Sequence, residues 1–236
     1  MSDFVVAVPR PAPACPGASA LGLAGRALEV LAAAQGLWPP RLGDARPADI
    51  GRGFAEGVAA ADAAADAGVA LTLADPPREP RGGLVAAAVL LGLDPVAAVG
   101  TRPSPDWAAQ VVAVRDGARA CAGEVGDPAT LLARVDDPLL SWLVGFLIQS
   151  AVRGTAAIVG GGAATAALVA SRMAPGAAVW WLAADVPATP AGRMALAELG
   201  LPALLDLGLS GPGGALLAHA LLRGAVELLP VEDRDA

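Results

Sequence analysis

The feature that most constrains this chain is a set of short apolar runs, each the length of one strand, set between longer stretches rich in Ala and Leu. Val69-Ala70-Leu71-Thr72-Leu73, Thr155–Val159 and Ala178-Val179-Trp180-Trp181-Leu182 offer almost nothing polar to either side of a pleat. A strand that is apolar on both sides is covered on both sides, as happens in a parallel sheet packed between helices. The intervening stretches carry apolar residues at helical spacing and are long enough for crossover connections. The alternation therefore predicts an α/β fold with a mostly parallel sheet. Ligands of such folds bind beyond the carboxyl ends of the strands.

Helices are expected over about Ala18–Gln35 and over Ala48–Ala67, the latter stopped by Gly68. Further helices follow over Leu84–Leu93 and Pro105–Ala122. Asp127-Pro128 and Asp137-Pro138 each open another, with Asp at the N-cap and Pro in the first turn. Later helices end near Met173, Leu199 and Leu229, and Leu204–Leu209 reads as a further short strand or extended segment. The chain divides into a Pro-rich lead with one helix (1–45, placed to dock on the core), one α/β domain (46–230) and an acidic tail (231–236). Four segments fall at strand ends: Ala74–Gly83, Gly160–Gly162, Ala184–Gly192 and Ser210–Ala215.

Composition removes several chemistries. All 16 basic residues are Arg, and Lys, Tyr and Asn are absent. That excludes a Schiff base, a P-loop lysine and a lysine general base. One His and two Cys (Cys15, Cys121) cannot build a multi-His or zinc-knuckle site, so no metal and no cofactor is expected. A net charge of −7 speaks against nucleic acid. Leu139–Val152, at 14 residues, is shorter than the ~20 needed to span a bilayer. Two separated cysteines, and a start (Met1–Pro16) unlike a secretory leader, set the expectation of a cytoplasmic protein without a membrane partner.

Five stretches have a familiar order and spacing: Leu84–Gly100 (LVAAAVLLGLDPVAAVG), Asp106–Asp116 (DWAAQVVAVRD), Ala166–Gly176 (AALVASRMAPG), Ala195–Gly208 (ALAELGLPALLDLG) and Gly213–Leu229. From about residue 47 to 229 the chain resembles the CobT-type nicotinate-nucleotide:dimethylbenzimidazole phosphoribosyltransferases, which make the α-ribazole phosphate of the cobalamin lower ligand. The resemblance implies a Rossmann-like three-layer fold, shortened at its N-terminus, and a dimer, either homomeric or with an intact paralogue.

The family's functional motifs are not kept. Where it has Gly-Glu-Met-Gly-Ile-Gly-Asn-Thr-Thr, Ala74–Gly83 has three prolines and no Asn or Thr. Proline has no N–H to offer an anion nest. The family's Asp-Gly is here Gly160-Gly161, and its Gly-His-Arg-Ser-x-Glu-x-Gly-His is here Ala184–Gly192, without the His, Arg, Ser or Glu. Its Gly-Glu-Gly-Ser/Thr-Gly-Ala, whose Glu is the general base, is here Gly211-Pro212-Gly213-Gly214-Ala215.

The resemblance thus implies a homologue linked to lower-ligand assembly that is catalytically inactive and serves as a binding, regulatory or partner subunit. An active enzyme with a remodelled site and a purely structural protein stand as alternatives. The candidate ligand-binding residues, for a small nucleotide or benzimidazole-type compound, are Asp75, Arg78, Arg81, Gly160, Gly161, Asp185, Gly211, Gly213 and Gly214. Each has a plainer reading beside it. Asp75, Arg78, Glu79 and Arg81 form either a replacement anion site or a solvated loop, and Gly160–Gly162 either a phosphate cradle or a steric turn. Asp185, where the family has His, is either a contact to a ligand hydroxyl or a loop carboxylate. His219 reads as a packed or helix-flank residue and both cysteines as inert.

Overall fold

The computed structural model describes residues 46–48, 50–101, 105–209 and 213–227. The lead, the tail and Gly211 lie outside the described residues.

Five strands form one sheet: β1 (Arg46–Pro47), β2 (Leu71–Ala74), β3 (Ala156–Val159), β4 (Trp181–Asp185) and β5 (Ala203–Leu205). They lie side by side in chain order and every pair is parallel. The helices are α1 (Phe54–Asp66), α2 (Arg81–Leu91), α3 (Pro95–Val99), α4 (Trp107–Ala120), α5 (Pro128–Val135), α6 (Pro138–Val152), α7 (Ala164–Met173), α8 (Pro190–Leu199) and α9 (Gly214–Glu227).

Right-handed crossovers between strands laid down in sequence put the connecting helices on one face of the sheet, and the packing follows that rule. Ala157, Val159 and Trp181 share a core with Ala61 of α1 and with residues of α6 and α7, while Ala183 packs with Leu196 of α8. The opposite face, Leu71, Leu73, Ala156, Ile158, Leu182 and Ala184, is covered by Ala215, Ala218 and Leu222 of α9. The expected three layers are present, with α6 supplying more buried residues than any other described helix. Its Trp142 and Phe146 stack at 4.9 Å between ring centroids.

Helix starts obey one local signature. Asp94, Asp127, Asp137 and Thr189 each precede a proline and each accepts a first-turn backbone N–H, at 2.8 Å from Val96, 3.1 Å from Thr130, 3.0 Å from Leu139 and 3.1 Å from Gly192. The first of these opens α3, a helix the sequence reading stops short of. Among the described residues, no helix is long and apolar enough to cross a membrane.

Four expectations about element bounds need correction. The helix placed over Ala48–Ala67 begins only at Phe54, because Ala48 N–H is held by the Leu73 carbonyl of β2 at 3.1 Å. The loop placed over Ala74–Gly83 ends at Pro80, because Arg81-Gly82-Gly83 form the first turn of α2 and Gly82 N–H is held by Asp137 Oδ2 at 2.9 Å. The strand placed at Ala178–Leu182 starts only at Trp181. The preceding Ala177–Trp180 is a 3₁₀ turn entered through Gly176 at φ +92°, so Trp180 is half-buried outside the sheet while Trp181 is buried in it. The segment Leu204–Leu209 is strand only over Ala203–Leu205, after which the chain turns at Gly208.

Candidate functional site

Parallel strands all release the chain at one end of the sheet, and there the described parts of the four segments come together. Asp75 follows β2, Gly160 follows β3, and Asp185 ends β4. Gly213-Gly214 lead into α9, which returns across the same end.

Their side chains are spent on one another. Asp75, only 9% exposed, accepts the Ala215 N–H of α9 through Oδ2 at 2.9 Å. It therefore stands where an anion would sit on that helix terminus. Burial above all pushes the Asp75 carboxyl above the usual carboxylate range, and the nearby Asp185 charge adds to this. The N–H groups of Ala215 and Gly214 oppose the rise. The same carboxylate presses on Gly160, where an added Cβ would lie 1.9 Å from Asp75 Oδ1. Only a glycine fits there.

Asp185, 1% exposed, accepts N–H groups from Leu207 at 2.8 Å through Oδ1 and from Leu209 at 2.7 Å through Oδ2. Gly208, at φ +59°, turns these two amides toward the same point. This is the concavity that successive N–H groups offer to anions, and here a carboxylate of the chain itself fills it. A Cβ on Gly214 would lie 3.3 Å from Asp185 Cβ, so the two carboxylates bracket the start of α9. Both aspartates are buried acceptors of backbone N–H groups, so the solvated-loop reading does not fit Asp75.

The remaining loops close over the glycines. A Cβ on Gly161 would meet Pro187 Cα at 3.3 Å, and one on Gly162 would meet Pro76 Cγ at 3.2 Å and Glu79 N at 3.4 Å. Pro76 and Pro187 thus fill space beyond the end of β3. Glu79 points inward and accepts the Thr189 hydroxyl at 2.7 Å, the same hydroxyl that caps α8. Its Oε1 has no hydrogen-bond partner among the described residues, nor has Thr165 Oγ1, which faces it from the first turn of α7. Burial pushes the Glu79 carboxyl up to about 7 against the lowering effect of the two threonines. Glu79 is therefore not in a solvated loop.

Arg78 and Arg81 do not join this cluster. Both are exposed, and both line a cavity of about 570 Å³ on the helical side, between α2, α4 and the α5–α6 turn. Neither makes an ion pair among the described residues. Gly213 is exposed and Gly211 lies outside the described residues. His219 is half-buried on α9, and Cys121 is buried, its thiol pushed up by burial. Cys15 lies outside the described residues. Among the described residues no group of three or more His, Cys, Asp or Glu is placed to hold a metal ion.

Sequence reasoning finds the convergence of the segments but not the Glu79–Thr189–Thr165 cluster or the α2–α4 cavity. The Thr189-Pro190 pair carries the same capping signature read at Asp127 and Asp137, and would have placed Thr189 at a helix start. Nothing local announces that Glu79 reaches it across 110 positions.

Comparison with known proteins bears on the same region. A phosphoribosyltransferase family profile (DBI_PRT) matches residues 81–232. The chain is 39% identical over 188 residues to the nicotinate-nucleotide–dimethylbenzimidazole phosphoribosyltransferase of Mycobacterium avium, covering 75% of this chain and 53% of that protein. It is 41% identical over 158 residues to the corresponding protein of Mycobacterium tuberculosis, covering 63% and 44%. The crystal structure of CobT from Thermus thermophilus superposes with a TM-score of 0.65 at 30% identity, over 73% of this chain and 54% of that one. The chain spans about half the length of the curated relatives it matches. The profile, the identities and the shared fold agree: the chain belongs to the CobT-type nicotinate-nucleotide–dimethylbenzimidazole phosphoribosyltransferase family.

Proposed function

We propose that this chain is a non-catalytic member of the family, attached to assembly of the cobalamin lower ligand as a binding, regulatory or partner subunit. It works in the cytoplasm as a homodimer or beside an intact paralogue. The observation that carries this reading is the occupation of the strand ends by the chain itself. Asp75 sits on the α9 terminus and Asp185 in the 207–209 amide concavity, while Pro76 and Pro187 pack on the glycines that follow β3. Phosphoribosyl transfer needs an anion cradle and a base that reaches substrate, and here the anion positions are already filled with carboxylates.

A second reading, an active enzyme with a remodelled site, is favoured by one observation. Glu79 titrates near neutral pH, as a general base should, and one of its oxygens lacks a partner. Incubation of the pure protein with nicotinate mononucleotide and dimethylbenzimidazole separates the two. The pseudoenzyme reading expects no product. Turnover that disappears in Glu79→Gln, Asp75→Asn or Asp185→Asn overturns it. Calorimetric titration with α-ribazole, its phosphate and free benzimidazole should give heat with at least one; silence for all three removes the small-molecule form of the proposal. Co-purification with an intact paralogue from the native cell supports the partner form.

A further inference from the structure

The α2–α4 cavity is set apart from the strand ends by its chemistry as well as its place. It exists because α4 turns small residues, Ala109, Ala113 and Gly117, toward α2. At Gly117 the two helices touch, with an added Cβ only 2.8 Å from Val85 Cγ2; elsewhere along that face the space stays open. Its apolar surface comes from Leu84, Val85, Ala113 and Val114, beside polar lining that includes Gln110. A volume of about 570 Å³ lies within the range of small-molecule sites.

Charged side chains line it as well. Arg78 and Arg81 stand there at the amino-terminal end of α2, where the helix dipole adds to their positive potential rather than offsetting it. Asp137, the carboxylate adjoining α2, is engaged by backbone amides: Oδ2 accepts Gly82 N–H, and Oδ1 accepts those of Leu139 and Leu140. Arg134, a third lining guanidinium, is paired with Glu124 at 3.1 Å. Two cations therefore remain over an apolar slot without a carboxylate partner among the described residues. Asp106 and Asp136 line the same cavity and balance these two guanidiniums in number. An anion would therefore be held locally by Arg78 and Arg81 rather than by an overall positive potential, which disfavours a polyanion.

We propose that this cavity is a binding site for a small organic monoanion, an apolar body bearing one carboxylate, sulfonate or phosphodiester group. Arg78 and Arg81 take the charge, and Leu84, Val85, Ala113 and Val114 take the body. The site is separate from the filled strand ends, and its existence does not depend on whether the protein is catalytic.

The probe is 8-anilinonaphthalene-1-sulfonate, whose fluorescence rises on entering an apolar slot, with benzoate and inorganic phosphate as competitors. Saturable binding displaced by benzoate and not by phosphate is expected. The exposed double variant Arg78→Ala/Arg81→Ala should weaken it by about tenfold or more, equivalent to one lost charge-assisted contact. Ala113→Trp, which fills the slot, should abolish it, and its circular dichroism reports whether it folds. Leu216→Ser/Leu217→Ser, on the exposed apolar side of α9, should leave binding unchanged. Absence of binding, equal binding to the arginine double variant, or loss confined to the Leu216/Leu217 variant overturns the proposal. Displacement by phosphate alone would show a plain anion site and overturn the apolar half of it.

Discussion

The strand ends and the α2–α4 cavity meet at a single loop, residues 75–80, yet they are opposites. At the strand ends two anion-attracting devices are occupied from within: the α9 terminus by Asp75 and the Leu207/Leu209 amides by Asp185. At the cavity two guanidiniums stand over apolar surface with no partner among the described residues. The difference teaches that carboxylates of the chain itself can satisfy the amide donors gathered at the ends of a parallel sheet. An unfilled terminus would leave N–H donors and a positive dipole end unsatisfied. The internal aspartates remove that cost and rigidify what would otherwise be an open crevice.

The largest effect that can break this comparison is expected from Gly160→Ala. The new methyl must displace Asp75 from 1.9 Å, and with it the cap on α9. A loss of about 2–4 kcal/mol is expected, combining overpacking with a lost charge-assisted hydrogen bond. A wild-type urea midpoint would show that Asp75 is not held against this glycine.

Next comes the pH dependence. The Glu79 carboxyl moves from an ordinary value of 4.5 to about 7 in the fold, so the folded state holds this proton more tightly than the unfolded chain. Its contribution to stability is complete below about pH 4.5 and is lost as pH rises to about 7, amounting to about 3 kcal/mol. Asp75, also raised, acts in the same direction. Glu79→Gln keeps an acceptor for Thr189 and gains a donor for Thr165, so its stability should be flat over that interval and exceed wild type above it. Chemical denaturation at several pH values reads this directly, and an unchanged slope would mean that Glu79 is not the titrating group.

Asp75→Ala should cost about 1–2 kcal/mol as a lost helix cap. It should also open the α9 terminus, so that phosphate raises the melting temperature of the variant more than that of wild type. Equal responses would show that the terminus does not accept anions. The smallest effect belongs to the cavity. Arg78→Ala and Arg81→Ala, on exposed side chains without ion pairs, should change stability by less than about 0.5 kcal/mol. A larger loss would make them structural and merge the two regions.

Much of this architecture was legible because it is local. Apolar runs on both sides of a pleat mark the buried parallel strands, and Asp-Pro pairs mark helix starts at Pro128 and Pro138. The errors have physical causes too. A left-handed Gly176 converts the start of an apparent strand into a 3₁₀ turn, and a distant carboxylate, Asp137, lets a helix begin at Arg81 inside a run that prolines suggest is loop. The candidate site was legible as a meeting of segments, since parallel strands deliver their ends to one edge. What each side chain does there was not. Asp75 with Ala215, Asp185 with Leu207, and Glu79 with Thr189 are contacts between residues far apart in sequence, fixed by packing rather than by neighbours.

The most direct test of the filled strand ends is titration of the ¹⁵N-labelled protein with nicotinate mononucleotide, following the backbone amides of Leu207, Leu209 and Ala215. These three donate to Asp185 and Asp75. The account predicts that their resonances stay in place, because a carboxylate already holds each proton. Saturable shifts at these amides would show a phosphate displacing the aspartates and would contradict it.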